Sequence, residues 1–181
     1  MTKPSRTYLA FALAIGWVLG LSTPALAQGA MPGADSSPAT RTGHSGLPLP
    51  RFVSLRAPKV NMRTGPGIGY PIDWVYTRAK LPLEVIDEYD TWRQVRDWEG
   101  STGWIHQSML SNRRTVMILD RQRPLRRRPK LGTPVVALVE ANVIGRAERC
   151  EGDWCQIKVE GIEGWLRRDE VFGVYPDEKI R

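Results

Sequence analysis

The chain has 181 residues, 41% of them hydrophobic and 25% charged, with a formal net charge of +7. That length suits one domain or two small ones. Two cysteines and two histidines without metal-ligand spacing exclude a recognisable zinc site.

The first element is a leader. Lys3 and Arg6 precede an apolar run from Tyr8 to Gly20, and Ser22-Thr23-Pro24-Ala25-Leu26-Ala27 follows it. A basic n-region, an apolar h-region and an Ala-x-Ala site read as a signal peptide over residues 1–27, cleaved after Ala27. The competing reading is an uncleaved anchor, but the run falls short of the ~20 residues that a spanning helix needs. No second apolar run is long enough to cross a bilayer. The mature protein is therefore expected to be periplasmic or secreted, with no transmembrane segment after cleavage.

Residues 28–50 carry four prolines, four glycines and three serines, with no periodicity. Such a composition buries too little apolar surface to offset its ordering entropy, so a disordered tether is expected.

Residues 51–113 form the first folded unit. Val60 and Met62 alternate with polar neighbours, and Ile72–Tyr76, Leu83–Ile86, Trp92–Val95 and Gly103–Ile105 are further short apolar or alternating runs. Between the first two lies a loop in which Gly65 to Pro71 holds three glycines and two prolines. Proline fixes φ and glycine supplies positive φ, so the loop reads first as a sharp architectural turn. His106 to Leu110 predicts one helical turn.

Residues 114–176 repeat the first unit. MRTGPGIGYPI (62–72) aligns with LRRRPKLGTPV (125–135) without a gap, EYDTWRQV (88–95) with CEGDWCQI (150–157), and GWIHQSML (103–110) with GWLRRDEV (164–171). Trp92 thus matches Trp154, and Trp104 matches Trp165. Short runs at Val135–Val139, Val143–Cys150, Trp154–Val159 and Gly164–Leu166 predict strands again. Residues 177–181 remain as a tail. Two units of ~60 residues sit near the lower size limit for independent folding. Short strands with tight turns and no long helix predict an all-β chain of two small, strongly bent barrels of about five strands each, because closure removes exposed edges.

The second unit carries two further signals. Cys150 and Cys155 flank the turn-like Glu151-Gly152-Asp153-Trp154, which would set them facing across a hairpin within disulfide range. Two free, buried thiols are the alternative. The matching pair in the first unit is Glu88 and Arg93, an opposite-charge couple suited to a cross-strand contact. Cys150 is out of phase with Val143 and Ala147, so the strand must twist or bulge. The second signal is RQRPLRRRPK, with Arg121, Arg123, Arg126, Arg127, Arg128 and Lys130 in ten residues. A solvated loop is the plain reading. An anionic envelope polymer, lipid head groups or an acidic protein is the next. Nucleic acid is disfavoured, because the chain is exported and no aromatics interleave the arginines.

VNMRTGPGIGYPI, Asp90-Thr91-Trp92-Arg93-Gln94-Val95 and Gly103-Trp104-Ile105 resemble a bacterial SH3 domain, over about residues 52 to 112. WRQVRDWEGSTGWIHQSMLS resembles the exported, catalytically bare tandem SH3-like proteins of Gram-negative bacteria. The second unit is a diverged copy that lacks Gly-Pro-Gly but keeps both tryptophans. The resemblance implies SH3-like barrels used as a cell-envelope module, which in several wall hydrolases binds peptidoglycan. One fold carries many functions, so the site must be argued separately.

Of the tryptophans, Trp104 and Trp165 read as core. Tyr70, Trp74, Tyr76, Trp92 and Trp154 are expected to line a ligand groove beside the 64–71 loop. Neither cysteine has a general base in its sequence context, and His106 reads as a polar residue on the short turn, so no catalytic residue, cofactor or metal is assigned. The expected function is a non-catalytic cell-envelope binding module for peptidoglycan or its stem peptides. The alternative is a periplasmic adaptor that binds an extended segment of an envelope protein.

Overall fold

The structure, a computed structural model, describes residues 40–180. The signal peptide and the tether as far as residue 39 lie outside the described residues. Two short strands, β1 (Arg41–Thr42) and β2 (Pro48–Leu49), pair as a small hairpin. Seven strands follow in the first barrel: β3 (Arg51–Leu55), β4 (Val60–Arg63), β5 (Ile72–Tyr76), β6 (Pro82–Tyr89), β7 (Trp92–Arg96), β8 (Thr102–His106) and β9 (Leu110–Ser111). Their order is β5-β4-β8-β7-β6-β3-β9, all antiparallel. The second barrel repeats this with β10 (Thr115–Ile118), β11 (Arg123–Arg126), β12 (Val135–Val139), β13 (Ile144–Glu151), β14 (Trp154–Val159), β15 (Ile162–Arg167) and β16 (Val171–Phe172). Its order, β12-β11-β15-β14-β13-β10-β16, is position for position that of the first.

The all-β tandem is as expected, but each sheet has seven strands rather than five. The additional ones are the entry strand and the two-residue strand that closes each repeat; β11, within the arginine run, was also hidden. Every strand of barrel 1 gives side chains to one cluster, including Val53, Val60, Met62, Tyr76, Val85, Val95, Ile105 and Leu110. Barrel 2 does the same with Val116, Leu125, Val139, Ile157, Leu166 and Val171. On β4, β7, β8, β14 and β15 an alternation of period two places these residues inside and their neighbours toward solvent, whereas β3 and β10 are buried on both faces.

Trp104 and Trp165 are not core residues. Both are half-buried on the outer face, because Gly103 and Gly164 take the inward phase of the Gly-Trp pairs. A neighbouring strand crosses those glycines closely. A Cβ at Gly103 would lie 3.0 Å from the Arg63 carbonyl oxygen and deep in the Met62 side chain; one at Gly164 would lie 2.9 Å from the Leu125 Cβ.

The β6–β7 and β13–β14 hairpins carry equivalent register shifts, at Val85/Asp87 and Ala147/Arg149. The bulge on β13 returns Cys150 to the inward phase, where it faces Cys155. The two are disulfide-bonded, their Cα atoms 4.1 Å apart, and both are buried.

The expected looseness of the tether needs correction. Residues 41–49, expected in the tether, dock on barrel 1. Leu49 enters its core, while Ser45 donates to the Glu88 carboxylate from its backbone N–H at 2.7 Å and its hydroxyl at 2.8 Å. Gly43 passes so close that a Cβ would lie 2.6 Å from that carboxylate. The tail from residue 177 is likewise laid against barrel 2. Cys150 N–H donates to the Ile180 carbonyl at 3.1 Å, Ile180 is buried, and Glu178 pairs with Arg114.

The barrels pack against each other, each with its own core. Met117 of β10 is 1% exposed and belongs to the core of barrel 1. Phe52 packs against Phe172 and Tyr175, with ring centroids at 5.2 and 4.7 Å. The Tyr175 hydroxyl donates to buried Glu84 at 2.8 Å, and Thr115 Oγ1 donates to the Lys80 carbonyl at 2.8 Å. Burial, then the hydrogen bond to Glu84, push the Tyr175 phenol well above its ordinary range.

Candidate functional site

A cleft of about 320 Å³ opens on barrel 1, between β4, the 64–71 loop and the 3₁₀ turn Gln107–Met109. Val60, Asn61 and Arg63 come from β4, with Lys59 just before it; Ile68 overhangs from the loop; Trp92 and His106 come from the ends of β7 and β8; Met109 ends the turn. Trp92 and His106 are cross-strand partners. Their rings meet edge to face, with centroids 5.4 Å apart. His106 is held by Ser108, whose hydroxyl lies 2.7 Å from Nδ1. Thus His106 caps the turn and also forms part of the wall of the cleft, which its polar type and position alone did not reveal.

The loop is tied to the strand below it. Arg63 donates to the Tyr70 carbonyl at 2.6 Å, and Thr64 N–H donates to the Pro71 carbonyl at 3.1 Å. Gly65, Gly67 and Gly69 do not adopt positive φ, contrary to the expectation from composition. At Gly65 the reason for glycine is space: a Cβ would run into the Tyr70 ring.

The five aromatics expected to share one groove are dispersed. Trp92 alone lines the cleft. Tyr70 and Trp74 are outside it, 48% and 56% exposed. Tyr76 is a core residue, 3% exposed, whose hydroxyl donates to Asp97 at 3.0 Å. Burial and that carboxylate push its phenol far up. Trp154 is half-buried on barrel 2. The basic run divides too. Arg123 faces Glu170 at 3.4 Å, and Arg126 donates to the Thr133 carbonyl at 3.2 Å, both on β11. Arg121, Arg127, Arg128 and Lys130 are exposed.

Among the described residues no acidic side chain lines the barrel 1 cleft, while Lys59 and Arg63 do, beside the apolar Val60, Ile68 and Met109. Chemically it suits an extended chain bearing a small apolar group and a carboxylate. Barrel 2 differs at the corresponding place. By the repeat, Arg123 replaces Val60 and Glu170 replaces Met109, and the two form an ion pair. Arg167 replaces His106 and pairs with Asp169 at 3.0 Å. A larger hollow of about 630 Å³ on barrel 2 is lined mainly by charged residues, among them the ion-paired Arg149 and Glu151.

A family model described as the bacterial SH3 domain matches residues 56–112 and again 120–173. No curated protein matches. Among solved structures, the chain is similar to NlpC2 from Trichomonas vaginalis at 13% identity and a TM-score of 0.32, covering 68% of this chain and 48% of that one. It is similar to NlpC1 from the same organism at 13% identity and a TM-score of 0.31, covering 67% and 45%. The chain thus spans about half the length of these structures, and at such scores the likeness says nothing of activity.

Proposed function

This chain belongs to the bacterial SH3 domain family, with two copies in tandem, and on that premise we propose that it is a non-catalytic binding protein of the cell envelope whose first barrel holds a stem peptide of peptidoglycan. The observation that carries the reading is the cleft walled by Trp92 and His106, flanked by Lys59 and Arg63 and, among the described residues, lined by no acid. Wall peptides offer small apolar side chains and carboxylates, which this lining complements. Trp92 provides a rigid aromatic surface, the residue type most often found at the energetic centre of an interface. The Cys150–Cys155 disulfide fits the oxidising compartment that such a role requires. Barrel 2, with Arg123 and Glu170 paired at the corresponding place, braces the first.

The test is co-sedimentation of the protein with purified sacculi at low and physiological salt. Saturable binding that persists at physiological salt and is lost in a folded Trp92→Ala variant is expected. Binding only at low salt, or binding indifferent to Trp92, would refute the reading.

One observation favours a second reading, a periplasmic adaptor. Strand β5 lies at the edge of its sheet with Ile72, Trp74 and Val75 exposed. Such an edge accepts an extended segment of another protein as an added strand. That reading predicts no sedimentation with sacculi and a defined protein partner on crosslinking.

A further inference from the structure

The loop between β11 and β12 is rigid, basic and apolar at once. Arg127 N–H donates to the Pro134 carbonyl at 2.9 Å and closes it. Inside, the Thr133 hydroxyl reaches the Lys130 and Arg128 carbonyls at 2.8 and 3.2 Å, Lys130 N–H donates to the Arg128 carbonyl at 2.8 Å, and Gly132 turns the chain at φ 78°. The backbone polar groups are thus directed inward and the long side chains are left outside. Arg127, Arg128 and Lys130 are exposed, and among the described residues none has an ion pair or a side-chain hydrogen bond. Four other exposed cations of this barrel have partners: Arg146 with Glu148, Arg149 with Glu151, Lys158 with Glu163 and Arg167 with Asp169. Amid the unpaired cations Leu131 stands 61% exposed, with Val135 beside the loop at 49%.

We propose that the 127–134 loop docks on an anionic lipid surface, the three cations meeting head groups and Leu131 entering the interface. Charge complementarity requires a negative partner, and each basic residue close to such a surface strengthens binding about fivefold. A soluble polyanion would satisfy the cations equally well. It would leave Leu131 in water, and it is the exposed leucine within the basic loop that selects lipid. No residue of the 127–134 loop lines the barrel 1 cleft, so changes in the loop leave the lining proposed for wall binding intact.

The experiment is flotation of the full mature protein with vesicles of phosphatidylcholine alone, and with vesicles of equal parts phosphatidylcholine and phosphatidylglycerol. Binding to the mixed vesicles only is expected. Changing Arg127, Arg128 and Lys130 together to Gln should weaken it about a hundredfold. Leu131→Ser should weaken it severalfold while leaving retention on a polyglutamate column unchanged. All these side chains are exposed, so folding, checked by circular dichroism, should be preserved. No binding to mixed vesicles would overturn the proposal. So would a Leu131→Ser variant that floats as the parent does, which would assign the loop to a soluble polyanion.

Discussion

Glu88 and Arg93 face each other across the β6–β7 hairpin, carboxylate to Nε at 3.2 Å, at the position that Cys150 and Cys155 occupy across the β13–β14 hairpin. One copy closes the hairpin with charge and the other with a covalent bond. The Glu88 side chain is 1% exposed, and it also receives Arg51 at 2.7 Å and two hydrogen bonds from Ser45. Burial alone would raise its pKa; the Ser45 hydrogen bonds and Arg51 outweigh burial and hold it at about 2, against 4.5 for a free glutamate. A lowered folded pKa contributes stability above the unfolded value and loses it as pH falls through the folded one. Stability should therefore decline between pH ~4.5 and ~2. Denaturant titrations across that range check this, and Glu88→Gln should flatten the decline. An unaltered slope would count against the assignment.

The disulfide should contribute about 2 kcal/mol, the loop-closure term for so short a ring. Reduction, or Cys150→Ser with Cys155→Ser, should lower the thermal midpoint of a protein that still folds. An unchanged midpoint after complete reduction would show that the β13–β14 register holds without the bond.

The two barrels should differ in their tolerance of tryptophan loss. Trp92→Ala should abolish sacculus binding, and Trp154→Ala should leave it intact, because in barrel 2 Arg123 and Glu170 pair where the repeat places Val60 and Met109 of the cleft. Equal losses in the two variants would mean that both barrels bind.

Gly103→Ala should destabilise by about 1–3 kcal/mol, since the added methyl would press on Met62 and the Arg63 carbonyl, the usual consequence of overpacking. Thermal unfolding measures it. A neutral result would mean that β4 and β8 can separate freely.

Phe52→Ala should cost about 3 kcal/mol. Phe52 is 8% exposed between the barrels, against Phe172 and Tyr175. In calorimetry the parent should melt in one transition and the variant as a whole at lower temperature. Two separate transitions in the parent would refute the coupling.

Much of the fold was legible because it repeats and alternates. The aligned blocks imply two copies of one topology, and the turn-like tetrapeptide after Cys150 implies its partner in Cys155. The broken phase at Cys150 even called for the bulge that β13 contains. What remained hidden depends on contacts between distant segments. Residues 41–49 look like a tether by composition, but Ser45 and Leu49 dock on Glu88 and the barrel 1 core, and no local pattern marks that. Tyr76 reads as a groove-lining aromatic, but its ring is buried in the core with its hydroxyl 3.0 Å from Asp97. At the cleft, Trp92 was identifiable as a tryptophan at a turn end. His106 and Met109 were not: the helical turn there was legible, but the pairing of His106 with Trp92 and the approach of Met109 to Val60 are contacts between distant segments.

Met117 has a consequence for what counts as a unit. The boundary drawn by the repeat falls near residue 113, between one copy and the next. Met117 lies beyond that boundary, yet it fills space inside the earlier copy. A chain cut at the boundary would keep every residue of the first repeat and lose part of its interior. The segment that was duplicated and the segment that must be kept whole are therefore different stretches of this chain, and the second extends across the seam of the first.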